Sequence, residues 1–250
     1  MDSEAKLFFR DQLREARAVV LGDSESYESI VLVLERIGRY LVPQARGMGQ
    51  QKQAVCTLAA ASPLACAIAE QSPEFHMDFT ALYESVRKAR NAAVHEGALA
   101  RHLAVHALEM ALVLEDALMT DMGTAGEFMV RSPATAALWQ PLSFVRQLML
   151  ANSFSYLPVQ TEKAQGAKWH LVSDVSLARA LRDRETREAL LKTPLGEAVA
   201  AGTIELHPAR TVHSDTTIES IIMDLDEVPV LVVSKKEAEL LGIVTAFDLL

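Results

Sequence analysis

Gly242-Ile243-Val244-Thr245-Ala246-Phe247-Asp248-Leu249-Leu250 ends the sequence and decides how its second half is read. A short buried strand, Ile243-Val244, runs into Thr245, and a helix begins there. Thr245 stands where an N-cap stands. Asp248, three residues on, falls in the first helical turn, where exposed backbone N–H groups and the positive dipole end favour anions. The same order of residue types occurs once upstream, at His170-Leu171-Val172-Ser173-Asp174-Val175-Ser176-Leu177. Two further anchors repeat in register: Tyr156-Leu157-Pro158-Val159 with Glu227-Val228-Pro229-Val230, and Gly126-Glu127-Phe128-Met129 with Gly196-Glu197-Ala198-Val199. Three anchors in one order, about 70 residues apart, mark an internal duplication. Each copy is expected to run strand, helix, strand, strand, helix, with the helices at Leu142–Ala151 and Ile218–Leu225.

This pattern resembles a tandem pair of CBS domains (cystathionine β-synthase-type modules). The resemblance covers residues 121–250, with repeat 1 at about 126–185 and repeat 2 at about 194–250. It implies two β-α-β-β-α units packed about a pseudo-twofold axis, with adenine nucleotide (AMP, ADP or ATP) in one or both clefts. In that family the closing Thr and Asp hold the ribose, which assigns the role to Thr245 and Asp248. The first copy has Ser173 and Ser176 at the same places, without the carboxylate that accepts from both ribose hydroxyls. One nucleotide site is therefore expected, lined by Val228, Pro229 and Thr211, with Arg210 as a phosphate contact. The family also carries a longer closing helix than the residues after Thr245 supply. The alternative is a pair that has lost its ligand and serves to dimerise.

Upstream, the spacing changes to that of helices. Leu7, Phe8, Leu13, Ala16 and Val20 recur at helical intervals over residues 2–21, and Ile30, Val33, Leu34, Ile37 and Leu41 over 25–42. Gln44–Gln53, with Gly47 and Gly49, reads as a loop. An Ala-rich helix over 52–71 is interrupted at Ser62-Pro63, and helices over Asp78–His95 and Leu99–Met119 follow. Short loops between such helices predict an antiparallel bundle over residues 1–120. The fold class is thus α+β: an all-α bundle, then the duplicated α/β half.

In the bundle, Arg90-Asn91-Ala92-Ala93-Val94-His95 resembles the Arg-x4-6-His motif of the HEPN superfamily. Its catalytic members are dimeric, metal-independent ribonucleases. The resemblance implies that His95 moves the proton of the ribose 2′-OH, Arg90 holds the phosphate and Asn91 orients His95. Histidine titrates near neutrality, and arginine is a permanent, bidentate phosphate partner. The family's aromatic two residues after the His is Gly97 here. The structural alternative pairs Arg90 and His95 with acids such as Glu84 or Glu35. His102 and His106, one helical turn apart, read as a polar helix face rather than a metal site.

The formal net charge is −9, with 50% hydrophobic and 23% charged residues. The acidity is shared between the halves, which excludes a broad nucleic-acid-binding footprint. No apolar run is long enough for a membrane span, and Met1-Asp2-Ser3-Glu4 lacks a secretory pattern. Cys56 and Cys66 read as buried small hydrophobes in a reducing compartment. The expected protein is a cytoplasmic homodimer that senses an adenine nucleotide and modulates a HEPN-like bundle able to cut RNA. The alternatives are a non-catalytic scaffold or a partner of a nucleotidyltransferase.

Overall fold

The computed structural model of the protein describes residues 1–93, 100–162, 168–236 and 239–250, with backbone alone for 91–93, 100–102 and 162. It forms two units, Met1–Asp121 and Met122–Leu250. Among the described residues, no helix is long and apolar enough to cross a membrane.

The first unit is all helix: α1 (Ser3–Gly22), α2 (Glu28–Leu41), α3 (Met48–Ala59), α4 (Ala67–Gln71), α5 (Phe79–Ala93) and α6 (Ala100–Met119). Asp2 starts α1 by accepting from the Ala5 amide at 2.8 Å. Asp23 follows its end and caps the next turn through the Glu25 amide at 3.0 Å. Phe9, Leu13, Ala16 and Val20 form the buried stripe of α1, and Ile30, Leu34 and Ile37 that of α2. Both stripes share one core with Ala107, Met110, Ala111 and Leu114 of α6. Each fully buried Leu or Ile there contributes about 1.5–3 kcal/mol. A polar seam crosses this core: the Arg17 guanidinium donates twice to the Glu115 carboxylate, at 2.9 and 3.0 Å.

Two expectations for this unit change. α3 begins at Met48, inside the stretch read as a loop, because Gly47 is an extended N-cap and Gly49 is tolerated one residue inside the helix. Gly38 explains the close seating of α3: a Cβ there would overlap the Gln51 side chain. The Ala-rich helix stops at Ala59, and Ser62 opens a new turn by accepting from the Leu64 amide at 3.1 Å. Cys66 sits at the non-helical junction that follows and is exposed rather than buried.

The second unit runs α7 (Ala125–Phe128), β1 (Val130–Arg131), α8 (Leu142–Asn152), β2 (Tyr156–Glu162), β3 (Lys168–Ser173), α9 (Asp174–Ala180) and α10 (Arg184–Lys192). It continues as α11 (Leu195–Ala200), β4 (Leu206–Pro208), β5 (Thr211–His213), α12 (Ile218–Met223), β6 (Val230–Val233) and β7 (Leu240–Val244), and closes on a 3-10 turn, Ala246–Leu249. The strands make two sheets, β1-β7-β6-β5 and β2-β3-β4.

The two repeats of the sequence share their sheets. β1 of the first repeat pairs with β7 of the second, and β4 of the second pairs with β3 of the first. Each repeat also opens with a short helix, α7 or α11, that docks on the other repeat. The docking bonds match in pairs. Gly126 donates to the Ser214 carbonyl at 2.8 Å, as Gly196 donates to Leu138 at 2.7 Å. Ala125 donates to Thr216, and Leu195 to Gln140, both at 2.8 Å. Glycine is needed at 126 and 196 because a Cβ would meet the facing carbonyl at 3.0 and 3.2 Å.

Candidate functional site

Strand register gathers the expected ligand residues. Val230 pairs with Val244, so Val228-Pro229 before β6 and Thr245 after β7 lie at one end of the sheet. Parallel pairing of Thr211 with Leu231 brings Arg210 and Thr211 to that same end. Pro229 is buried, Val228, Thr245 and Asp248 are half-buried, and Thr211 is exposed.

Thr245 and Asp248 are joined to each other. The Asp248 carboxylate accepts from the Thr245 amide at 2.9 Å and from its hydroxyl at 2.8 Å. This is a capping box, with an acid three residues after the N-cap reaching back to it. The bonds fix the direction of a carboxylate that accepts only. Thr124 and Glu127 form the same device at the start of α7, with bonds of 3.0 and 2.8 Å.

Arg210 is placed differently from the phosphate contact expected of it. Its guanidinium donates to the Asp224 carbonyl at 2.9 Å, the Ser220 carbonyl at 3.3 Å and the Asp224 carboxylate at 3.3 Å. These are groups at the end of α12, where helix carbonyls lack intrahelical donors and favour a cation.

Register also delivers residues that the linear reading missed. Val130 lies opposite Ile243, so Met129-Val130 of the first repeat arrives beside Thr245. A Cβ on Gly242 would lie 2.5 Å from the Met129 sulfur. The glycine in the closing stretch was the available signal: a side chain missing from a central strand marks a close approach.

At the equivalent end of the first repeat, the serines bind their own chain. Ser173 accepts from the Ser176 amide at 3.1 Å, and Ser176 accepts from the Glu205 amide at 3.1 Å. His207 of β4 lies 3.4 Å from the Ser173 hydroxyl and meets the Tyr156 ring edge-on at 6.3 Å.

In the bundle, Arg90 donates to Glu35 at 2.7 Å, and Glu35 is buried. The Asn91 side chain and all of His95 lie outside the described residues. Glu84 pairs with Lys52 at 2.9 Å and with Arg87 at 2.6 Å. His106 is hydrogen-bonded to Ser85 at 2.9 Å, and no group of metal-ligating side chains is found among the described residues.

No protein-family model matches the chain, and no curated protein matches it. Solved structures do. A CBS domain-containing protein from Bacillus anthracis is 14% identical over 50% of this chain and 88% of that one, with a TM-score of 0.40. CBSX2 in complex with AMP is 19% identical over 50% of this chain and 91% of that one, with a TM-score of 0.36. CbpB in complex with c-di-AMP is 17% identical over 50% of this chain and 81% of that one, with a TM-score of 0.39.

Proposed function

We propose that the second unit is a tandem CBS pair that binds an adenine nucleotide at one site, and that the protein is a nucleotide-sensing regulator. The observation that carries this is the oriented Thr245–Asp248 pair at the mouth of the β6-β7 strands. Asp248 would accept from the ribose hydroxyls, with Val228, Pro229 and Thr211 beside the base. Arg210, held by α12, supports the wall of this site rather than the phosphate. The first repeat contributes Met129-Val130 and no second ligand site, since its serines already fasten β4. AMP or ATP at saturating concentration should raise the melting temperature. A ligand at a hundredfold its Kd stabilises by about 2.7 kcal/mol. The rise should vanish in Asp248→Ala. No shift with AMP, ADP or ATP overturns the reading and leaves a pair that only dimerises.

For the bundle, the Arg90–Glu35 ion pair favours the non-catalytic alternative, a HEPN-like module for dimerisation or partner binding. A guanidinium neutralised by a buried carboxylate is poorly placed to hold a scissile phosphate. Purified protein should therefore leave RNA intact without metal, with or without AMP. Metal-independent cleavage abolished by His95→Ala would restore the ribonuclease reading.

A further inference from the structure

The chain has two tryptophans, and both line one cavity of about 410 Å³ in the second unit, well apart in sequence at Trp139 and Trp169. Trp139 is 76% exposed. An indole left this open is not serving the core. The duplication sharpens the point. The matched bonds of Leu138 with Ser214 and of Gln140 with Thr216 make Trp139 the counterpart of Asp215. Asp215 pairs with Lys235 at 2.6 Å. The loop thus folds equally well with a small acid at this place, and the indole belongs to the first repeat alone.

A second cavity of about 530 Å³ shares Thr135, Gln160 and Trp169 with the first and extends to Pro133 and Glu239. The Gln160 amide and the Thr135 hydroxyl make no hydrogen bond among the described residues, and the Glu239 carboxylate makes no ion pair among them. Both Gln160 and Thr135 are exposed. Among the described residues, no lysine or arginine lines either cavity, which gives phosphate no cationic partner there.

We propose that this groove binds an extended, proline-rich segment of a partner protein. A polyproline II strand has no internal hydrogen bonds, so its carbonyls seek outside donors, and its pyrrolidine rings pack on aromatic faces. The groove presents these two features together: indoles for the rings, and the Gln160 amide and Thr135 hydroxyl, which line the same cavity and make no hydrogen bond among the described residues. Glu239 at one end, on a protein of net charge −9, selects a basic residue flanking the prolines. An open groove suits a strand rising about 3.1 Å per residue better than a small molecule, which needs enclosure. This proposal is independent of the nucleotide reading.

The test titrates the full chain with a synthetic peptide of eight prolines ending in arginine, read by tryptophan fluorescence and by calorimetry. Both tryptophans report on the groove. A saturable change is expected, with affinity about tenfold or more weaker in Trp139→Ala, the loss typical of an aromatic anchor. Trp139→Ala should melt as the parent does, since the residue is exposed. Glu239→Gln should lose the preference for the arginine-ended peptide over a glutamate-ended one. Equal binding of a Gly-Ser peptide, undiminished binding by Trp139→Ala, or binding of adenosine but not of the proline peptide each overturns the proposal.

Discussion

Ser173 at the end of β3 and Thr245 at the end of β7 hold equivalent places in the two repeats, and their hydroxyls are bonded differently. The first is tied through Ser176 and His207 to β4, the strand that the second repeat lends. The second is tied to its own Asp248. What arrives at each end accounts for the difference. β4 brings polar groups, the Glu205 amide and the His207 ring, and serine hydroxyls satisfy them. β1 brings Met129 and Val130, which need packing, and the threonine amide and hydroxyl donate to the Asp248 carboxylate. One duplicated frame thus supports a fastening at one end and an oriented acceptor at the other, decided by two side chains.

The largest effect should come from forcing the second end to resemble the first. Gly242→His installs the residue that the first repeat has at His170. Any Cβ at 242 collides with Met129, and β1 loses its place on β7. Overpacking of this kind costs about 1–3 kcal/mol, and the lost pairing adds to it. The urea midpoint should fall accordingly. An unchanged midpoint would mean that Met129 does not cover Gly242.

Next is Asp248→Ser, which gives the second end the first end's chemistry. Loss of the capping box should cost about 1 kcal/mol, and the nucleotide-dependent rise in melting temperature should disappear. If the rise persists, the ribose is held elsewhere and the two ends do not differ in function.

Much of this frame is legible in the linear sequence. The Gly-Glu, Pro-Val and strand-end anchors recur in order, and β2, β3, β6 and β7 follow from them. The exchange of β1 and β4 is not legible, because alternation reports that a strand exists and not which strand it pairs with. The bonds of Arg210 are not legible for a related reason. Its competing acceptors, the carbonyls of Ser220 and Asp224, come within reach only because α12 ends at Met223. A short helix presents its C-terminal carbonyls where a longer one would still be turning. The exposure of Cys66 is not legible either, because small apolar composition does not tell which side of the interrupted helix faces the core. The break at Ser62-Pro63 turns the side that carries Cys66 outward.

A smaller effect is expected at the fastened end. Ser176→Ala removes the acceptor of the Glu205 amide without touching the core. One lost hydrogen bond of this kind costs about 0.5–1.5 kcal/mol. The readout is local: the Glu205 amide should exchange faster with solvent, while amides of β6 and β7 keep their protection. Uniform loss of protection would show that the fastening supports the whole unit rather than β4.

The smallest effect separates the two loops in which Trp139 and Asp215 correspond. The hydrogen bond from Lys235, helped by the residue's own backbone amide, holds the Asp215 carboxyl below its ordinary pKa. A carboxyl lowered on folding adds stability that is complete above the ordinary carboxylate range. That stability is lost as pH falls through the lower folded value. Both side chains are well exposed, at 63% and 64%, so salt should screen the pair. Asp215→Asn should therefore flatten the acid side of the stability curve slightly, at low salt only. Asp215→Trp, copying the first repeat, should do the same and no more, because Trp139 shows that the loop accepts an exposed indole. A large loss in Asp215→Trp would mean that the two loops are not interchangeable, and that Trp139 is held by its surroundings rather than offered to a partner.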